Sequence, residues 1–218
     1  MHRVRLLQDL LSRELLTGNG LTNNYKKGEF TMDDNLANPA PLGLTGFGMT
    51  TVLLNMHNAG FYPLDSMIVA MGICYGGLAQ VIAGIMEWRK NNTFGATAFC
   101  SFGLFWLSFA GLILFSKQGL CQGPTCTAMA TYLFMWGLFT FAMWIATWKA
   151  NRGIQVVFLS LVVLFWMLAC KDAFGWTGVW ATVTGYEGIF CGFTAIYVAM
   201  AQILNETYGN VILPLGEK

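Results

Sequence analysis

From residue 41 onward the apolar positions neither alternate nor keep to one face; they run on. Six stretches, 41–60, 66–88, 94–115, 127–148, 153–170 and 186–204, are apolar all round over roughly the 20 residues a helix needs to cross a bilayer. Short polar loops join them, so the pattern predicts an all-α polytopic membrane protein with six transmembrane helices. The first residues differ in kind. Leu6, Leu7, Leu10, Leu11 and Leu15 recur at helical spacing among Arg3, Arg5, Asp9, Arg13 and Glu14, which predicts a short amphipathic helix on the membrane surface. That segment is too short and too charged for a span or a signal peptide. Lys26-Lys27-Gly28-Glu29, just before Met32, is also what a purine-rich ribosome-binding sequence reads as when translated, which makes Met32 an expected native start. The expected organisation is a polar arm over 1–37, a transmembrane domain over 38–205 and a tail over 206–218.

Charge orients these spans. Arg89 and Lys90 follow the second run and Lys149 and Arg152 the fourth, while the opposite loops hold only Lys117 and Lys171. By the positive-inside rule both termini are cytoplasmic, in a cell membrane crossed several times. Composition adds little except exclusions: 56% hydrophobic and 11% charged residues take the chain out of the soluble class, and a net charge of +1 offers nucleic acid nothing. Of the six cysteines only Cys121 and Cys126 share a loop, where an oxidising compartment would allow a disulfide.

Polar groups in lipid are costly, so Asn55, His57 and Asn58 in the first run and Gln80 and Glu87 in the second are candidates for function. His57 reads either as a neutral interfacial histidine or as a proton handler, and Glu87 either as a partner of Arg89 or Lys90 or in the same proton role. Asn55 and Gln80 carry amides that need partners and can donate to a carboxylate. Thr50, Thr51, Ser101 and Thr194 add hydroxyls, although a lone helical hydroxyl most often bonds its own backbone. Gly72, Gly76, Ala79 and Ala83 form a small-residue face suited to tight packing. His2 and His57 lack metal-ligand spacing, and no nucleotide or dinucleotide glycine motif is present, so neither metal, cofactor nor enzymatic activity is expected.

The stretch Asn38-Pro39-Ala40-Pro41-Leu42-Gly43-Leu44 reads as a capped helix start, with Gly43, Gly46 and Gly48 on one side for close approach. Together with Phe47-Gly48, six short-looped spans and the tail from Asn205-Glu206 to Leu213-Pro214-Leu215-Gly216, it closely resembles the acetate uptake transporter family, also called succinate–acetate permeases. The resemblance covers 36–217. It implies a homo-hexamer in which each protomer carries acetate and, in some bacterial members, succinate, along an hour-glass path narrowed by Phe47, Phe102 and Leu161. Relatives commonly carry tyrosine in place of Phe102. Ala195 matches a position where side-chain size is associated with which monocarboxylate passes. Three apolar side chains in a narrow path make a dewetting barrier, which protonated acid crosses more easily than the anion. The alternative is an anion handed between amide, hydroxyl and helix N-terminal donors. An acetate-binding sensor without flux is the competing class of function.

Overall fold

The first helix, α1 (Ala40–Asn58), starts with Pro39 rather than Asn38 in the capping position. Asn38 still satisfies a free donor, since its Oδ1 accepts the Ala40 N–H at 3.1 Å, and Pro41 falls in the first turn where its missing N–H costs nothing. This is a computed structural model that describes residues 36–216; the amphipathic arm and the Met32 start lie outside the described residues.

Five further helices follow: α2 (Ser66–Arg89), α3 (Thr93–Lys117), α4 (Cys126–Ala146, prolonged by a tight turn over Thr147–Lys149), α5 (Arg152–Phe174) and α6 (Val179–Tyr208). Polar side chains define their starts. Asp65, Asn92, Thr125 and Asn151 each accept backbone N–H groups of the next helix, the cap chemistry that removes free donors before the chain enters apolar surroundings. The helices from α2 to α6 are long and apolar enough to span a membrane, with α4 and its turn counted together over Cys126–Lys149. The more polar α1 is instead shielded by protein, its Leu44, Phe47, Thr50, Thr51, Leu54 and Asn55 all buried.

Two features depart from the sequence pattern. Helix α6 begins at Val179, not at 186, because Gly178 at φ +58° sets the break; its 30 residues reach about 45 Å, beyond a core of about 30 Å. Helix α2 is wound as a π-helix over Gly72–Ala79. The wide turns put Gly72, Gly76 and Gly77 in the interior and leave Ala79 half-exposed, so the expected small-residue face is not one straight stripe.

The six helices close a ring in chain order. Helix α1 packs on α2 and α6, α2 on α3, α4 on α5, and α5 on α6. Two seams show opposite solutions. At α1–α6, a Cβ on Gly48 would lie 2.7 Å from the Gly192 carbonyl oxygen, so the two backbones meet through paired glycines. At α3–α4 the backbones stand apart and rings fill the gap, with Phe105 at 5.2 Å from Trp136 and 5.8 Å from Tyr132 between centroids.

Gly43, Gly46 and Gly48 do not share one side. Gly43 faces Phe99 on α3, Gly46 the Tyr75 carbonyl on α2, and Gly48 faces α6, so each admits a different neighbour. The tail after α6 folds back. Asn205 Oδ1 accepts the Ile212 and Leu213 N–H groups at 2.7 and 2.9 Å, and its Nδ2 donates to the Leu213 carbonyl at 2.9 Å. The carbonyls of Gly216 and Leu215 then accept the Arg152 and Gly153 N–H groups, capping α5 from outside the helix. Cys121 and Cys126 are free and exposed.

Candidate functional site

A cavity of about 180 Å³ opens at the end of the ring that carries Arg89, Lys90, Lys149 and Arg152. Its rim holds Ala40, Glu87, Asn92, Ala150 and Gln202, which belong to the termini of five helices and the loops beside them. Its floor is Phe47, Phe102 and Leu161, from α1, α3 and α5, so the three side chains expected to form a constriction meet at one level. All three are almost fully buried, at 6%, 4% and 3% exposure, so the cavity ends at this level.

Phe102 is the hub. Its ring centroid lies 6.1 Å from Phe47, 6.1 Å from Phe158, 5.6 Å from Phe139 and 6.5 Å from Phe165, the last stacked at 16°. Such ring pairs stabilise a fixed geometry beyond simple burial. The wall between rim and floor is apolar: Leu44, Phe94, Ala98, Phe99, Val157 and Phe158. Phe94, Phe99 and Phe158 are cavity residues that the sequence did not single out, since a phenylalanine in an apolar run carries no signal of which way it points.

Two polar side chains reach this apolar chamber from α2. Gln80, 1% exposed, donates Nε2 to the Gly76 carbonyl at 2.6 Å within the π-helical segment, and its carboxamide lines the cavity. Glu87, 2% exposed, accepts from Asn92 Nδ2 at 2.7 Å. Its partner is therefore an asparagine of the next loop. Among the described residues no Lys or Arg lines the cavity, and Glu87 is the one ionisable group that does.

The other candidates lie elsewhere. Thr50 donates to the Met71 carbonyl at 3.4 Å and packs toward Gly76, between α1 and α2. Asn55 is 1% exposed and turned to α6 against Gly188; it donates to the Thr51 carbonyl at 2.9 Å and accepts from Asn58 at 3.0 Å, so both ends are used within α1. His57 sits at the far end, its Nδ1–H donating to the Tyr62 carbonyl at 2.9 Å, while the Tyr62 hydroxyl donates to the Leu53 carbonyl at 2.7 Å. Burial, and then the Asp65 carboxylate, hold the Tyr62 hydroxyl above its ordinary pKa. His57 and Glu87 are thus at opposite ends of the ring and do not meet.

Ser101 is half-buried next to Phe102 and lines no part of the cavity. Thr194 is turned outward, into a groove with Arg152, Phe190, Tyr197 and Leu215, and bonds the Cys191 carbonyl of its own helix at 2.7 Å. Ala195 is fully buried; it shares a helix face with Gln202, two turns deeper into the ring. One polar pair in the spans was not anticipated. Ser160, the neighbour of Leu161, donates its hydroxyl to Glu187 Oε1 of α6 at 2.6 Å. An apolar run that begins at 186 puts this carboxylate at a helix end and gives it no signal, whereas α6 carries it two turns inside.

The family model of the GPR1/FUN34/yaaH family matches residues 22–216. An uncharacterised protein of Methanothermobacter thermautotrophicus is 52% identical over 88% of this chain and 97% of its own. The succinate-acetate/proton symporter SatP of Escherichia coli is 50% identical over 84% of this chain and 96% of its own. The solved structure of the bacterial acetate channel SatP superimposes with a TM-score of 0.81 at 50% identity, over 83% of this chain and 99% of that one.

Proposed function

We propose, from the premise that this chain belongs to the GPR1/FUN34/yaaH family, that each protomer carries acetate and succinate across a membrane through the chamber and its neck. The observation that supports this is the convergence of Phe47, Phe102 and Leu161 at the floor of an apolar chamber with no cationic lining among the described residues. The basic end faces the cytoplasm, with both termini on that side. The transmembrane domain runs over 38–205 and the tail over 206–218, and six copies assemble in the bilayer. Exposed apolar side chains such as Phe134, Phe190 and Phe193 then face lipid or a neighbouring copy.

Magnitudes decide which species crosses. A carboxylic acid with a pKa near that of a free glutamate, about 4.3, costs about 3.7 kcal/mol to protonate at pH 7. Burying a carboxylate without a partner costs several kcal/mol even after relaxation, and about 20 by the idealised limit. A neck lined by Phe47, Phe102 and Leu161, with no cation among the described residues beside it, therefore favours the neutral acid, and a proton travels with the substrate. Glu87, at the rim, adds a carboxyl that disfavours an anion and can exchange a proton with it.

Purified protein in liposomes tests this with labelled acetate under a clamped membrane potential. Uptake driven by an inward proton gradient, falling up to tenfold per pH unit above the acid's pKa, is expected. Flux that ignores pH and carries current at neutral pH would replace proton coupling with an anion channel, and the absence of any flux would leave a sensor.

A further inference from the structure

The lumen-facing edge of α1 can be traced past the neck. Ala40, Leu44 and Phe47 line the chamber, and the helical period carries that edge on to Thr51. Its flanks are assigned independently: Gly48, Val52 and Asn55 pack on Gly192 and Gly188 of α6, and Gly46 and Thr50 pack on α2. Thr51 therefore points between those seams, about 6 Å beyond Phe47 along the axis.

Its hydroxyl is anomalous. Thr51 is 2% exposed and its Oγ1 has neither donor nor acceptor. Other helical threonines of this protein return the hydroxyl to the carbonyl four residues back: Thr45 to Pro41 at 2.7 Å, Thr131 to Thr127 at 2.8 Å, Thr140 to Trp136 at 2.7 Å and Thr184 to Trp180 at 2.9 Å. Thr51 forgoes that bond to the Phe47 carbonyl. A buried hydroxyl left unpaired is a stability cost that valine would avoid at the same shape.

We infer that Thr51 is the hydrogen-bonding station for the substrate carboxyl on the far side of the neck, the counterpart of Gln80 on the chamber side. The inference rests on the transport reading and deepens it. A carboxyl group that leaves the Gln80 amide must cross the Phe47 ring without a partner, and Thr51 is the first polar side chain on α1 that meets it. The hydroxyl serves either protonation state, donating to a carboxylate or carbonyl oxygen and accepting from an acid O–H.

The test compares wild type, Thr51→Val and Thr51→Ser in proteoliposomes, reading the concentration dependence of acetate uptake, with the Tm of each purified protein alongside. Thr51→Val is expected to lower uptake at subsaturating acetate roughly tenfold, the loss of one hydrogen bond, at an equal or higher Tm. Thr51→Ser is expected to keep most of the rate. Equal uptake by Thr51→Val and wild type overturns the inference. So does a Tm that falls together with uptake, which would make the hydroxyl a structural group. A wild-type protein that moves no acetate sinks the transport reading instead. Thr51 is then read from acetate binding to the purified protein, where Thr51→Val binding as wild type overturns it.

Discussion

Leu161→Ala is the most informative change to the neck, because its two consequences are separable. Leu161 is 3% exposed and packed in the core, so removing three side-chain carbons takes away about 2.4 kcal/mol of burial before any cavity term, and a total of about 2–5 kcal/mol of stability. The vacated space opens onto the chamber, not onto lipid, and a single water needs about 30 Å³. One water admitted at the neck restores one hydrogen bond to the crossing carboxyl, worth about 1–3 kcal/mol, which raises flux by about 5- to 150-fold. The same water favours the anion more than the neutral acid, so the pH dependence of uptake flattens. Initial rates of labelled acetate uptake between pH 5 and pH 8, on protein whose Tm has been measured, read both effects. A lower Tm with unchanged rate and unchanged pH slope would show that Leu161 packs the bundle without limiting the path, and would refute the assignment of the neck.

Gly48→Ala forces its Cβ against the Gly192 carbonyl and Ile196, so it should cost about 1–3 kcal/mol and lower the Tm, whereas Gly111→Ala, whose Cβ meets only the Phe115 ring edge at 3.6 Å, should leave it unchanged. Asn205→Ala removes three hydrogen bonds to the tail, about 1 kcal/mol each at most, and should expose 209–216 to limited proteolysis while α6 stays intact; equal digestion of both proteins would contradict the fold-back. Cys121, in the loop between α3 and α4, and Cys126, the first residue of α4, are free and exposed, so a membrane-impermeant maleimide should label intact cells through them. Labelling that appears only after permeabilisation would invert the assigned topology.

How far the sequence spoke depended on what kind of signal a residue carried. The long apolar runs announced the six helices, and Asp65, Asn92, Thr125 and Asn151 stand at their starts as cap chemistry requires. Facing was another matter. A run that is apolar on every side has no moment to mark its inner face, so Phe99 and Phe158, which line the chamber, looked the same as Phe134 and Phe190, which face outward. The neck came from resemblance to a family, and Thr194, turned to the outer groove, shows what hydroxyls alone are worth as a guide. The end of a polar tail was legible only as a signature; its folding back onto α5 through Asn205 needed coordinates.

The π-helical segment explains how Gln80, conspicuous as an amide in an apolar run, comes to face the chamber. In an uninterrupted α-helix Gly72, Gly76, Ala79 and Ala83 would stack as one packing edge and Gln80 would lie beside it. Wider turns over Gly72–Ala79 change the phase between the two halves of α2: the first half packs Gly76 against Thr50 and Trp106, and the second presents Gln80 and Glu87 to the chamber. Gln80 Nε2 in turn holds the Gly76 carbonyl inside the wide turn. One Nε2 hydrogen is spent on that carbonyl, and the carboxamide keeps another N–H donor and an acceptor oxygen. The same side chain that fixes the phase of α2 thus supplies the chamber's amide, and neither role can be changed without the other.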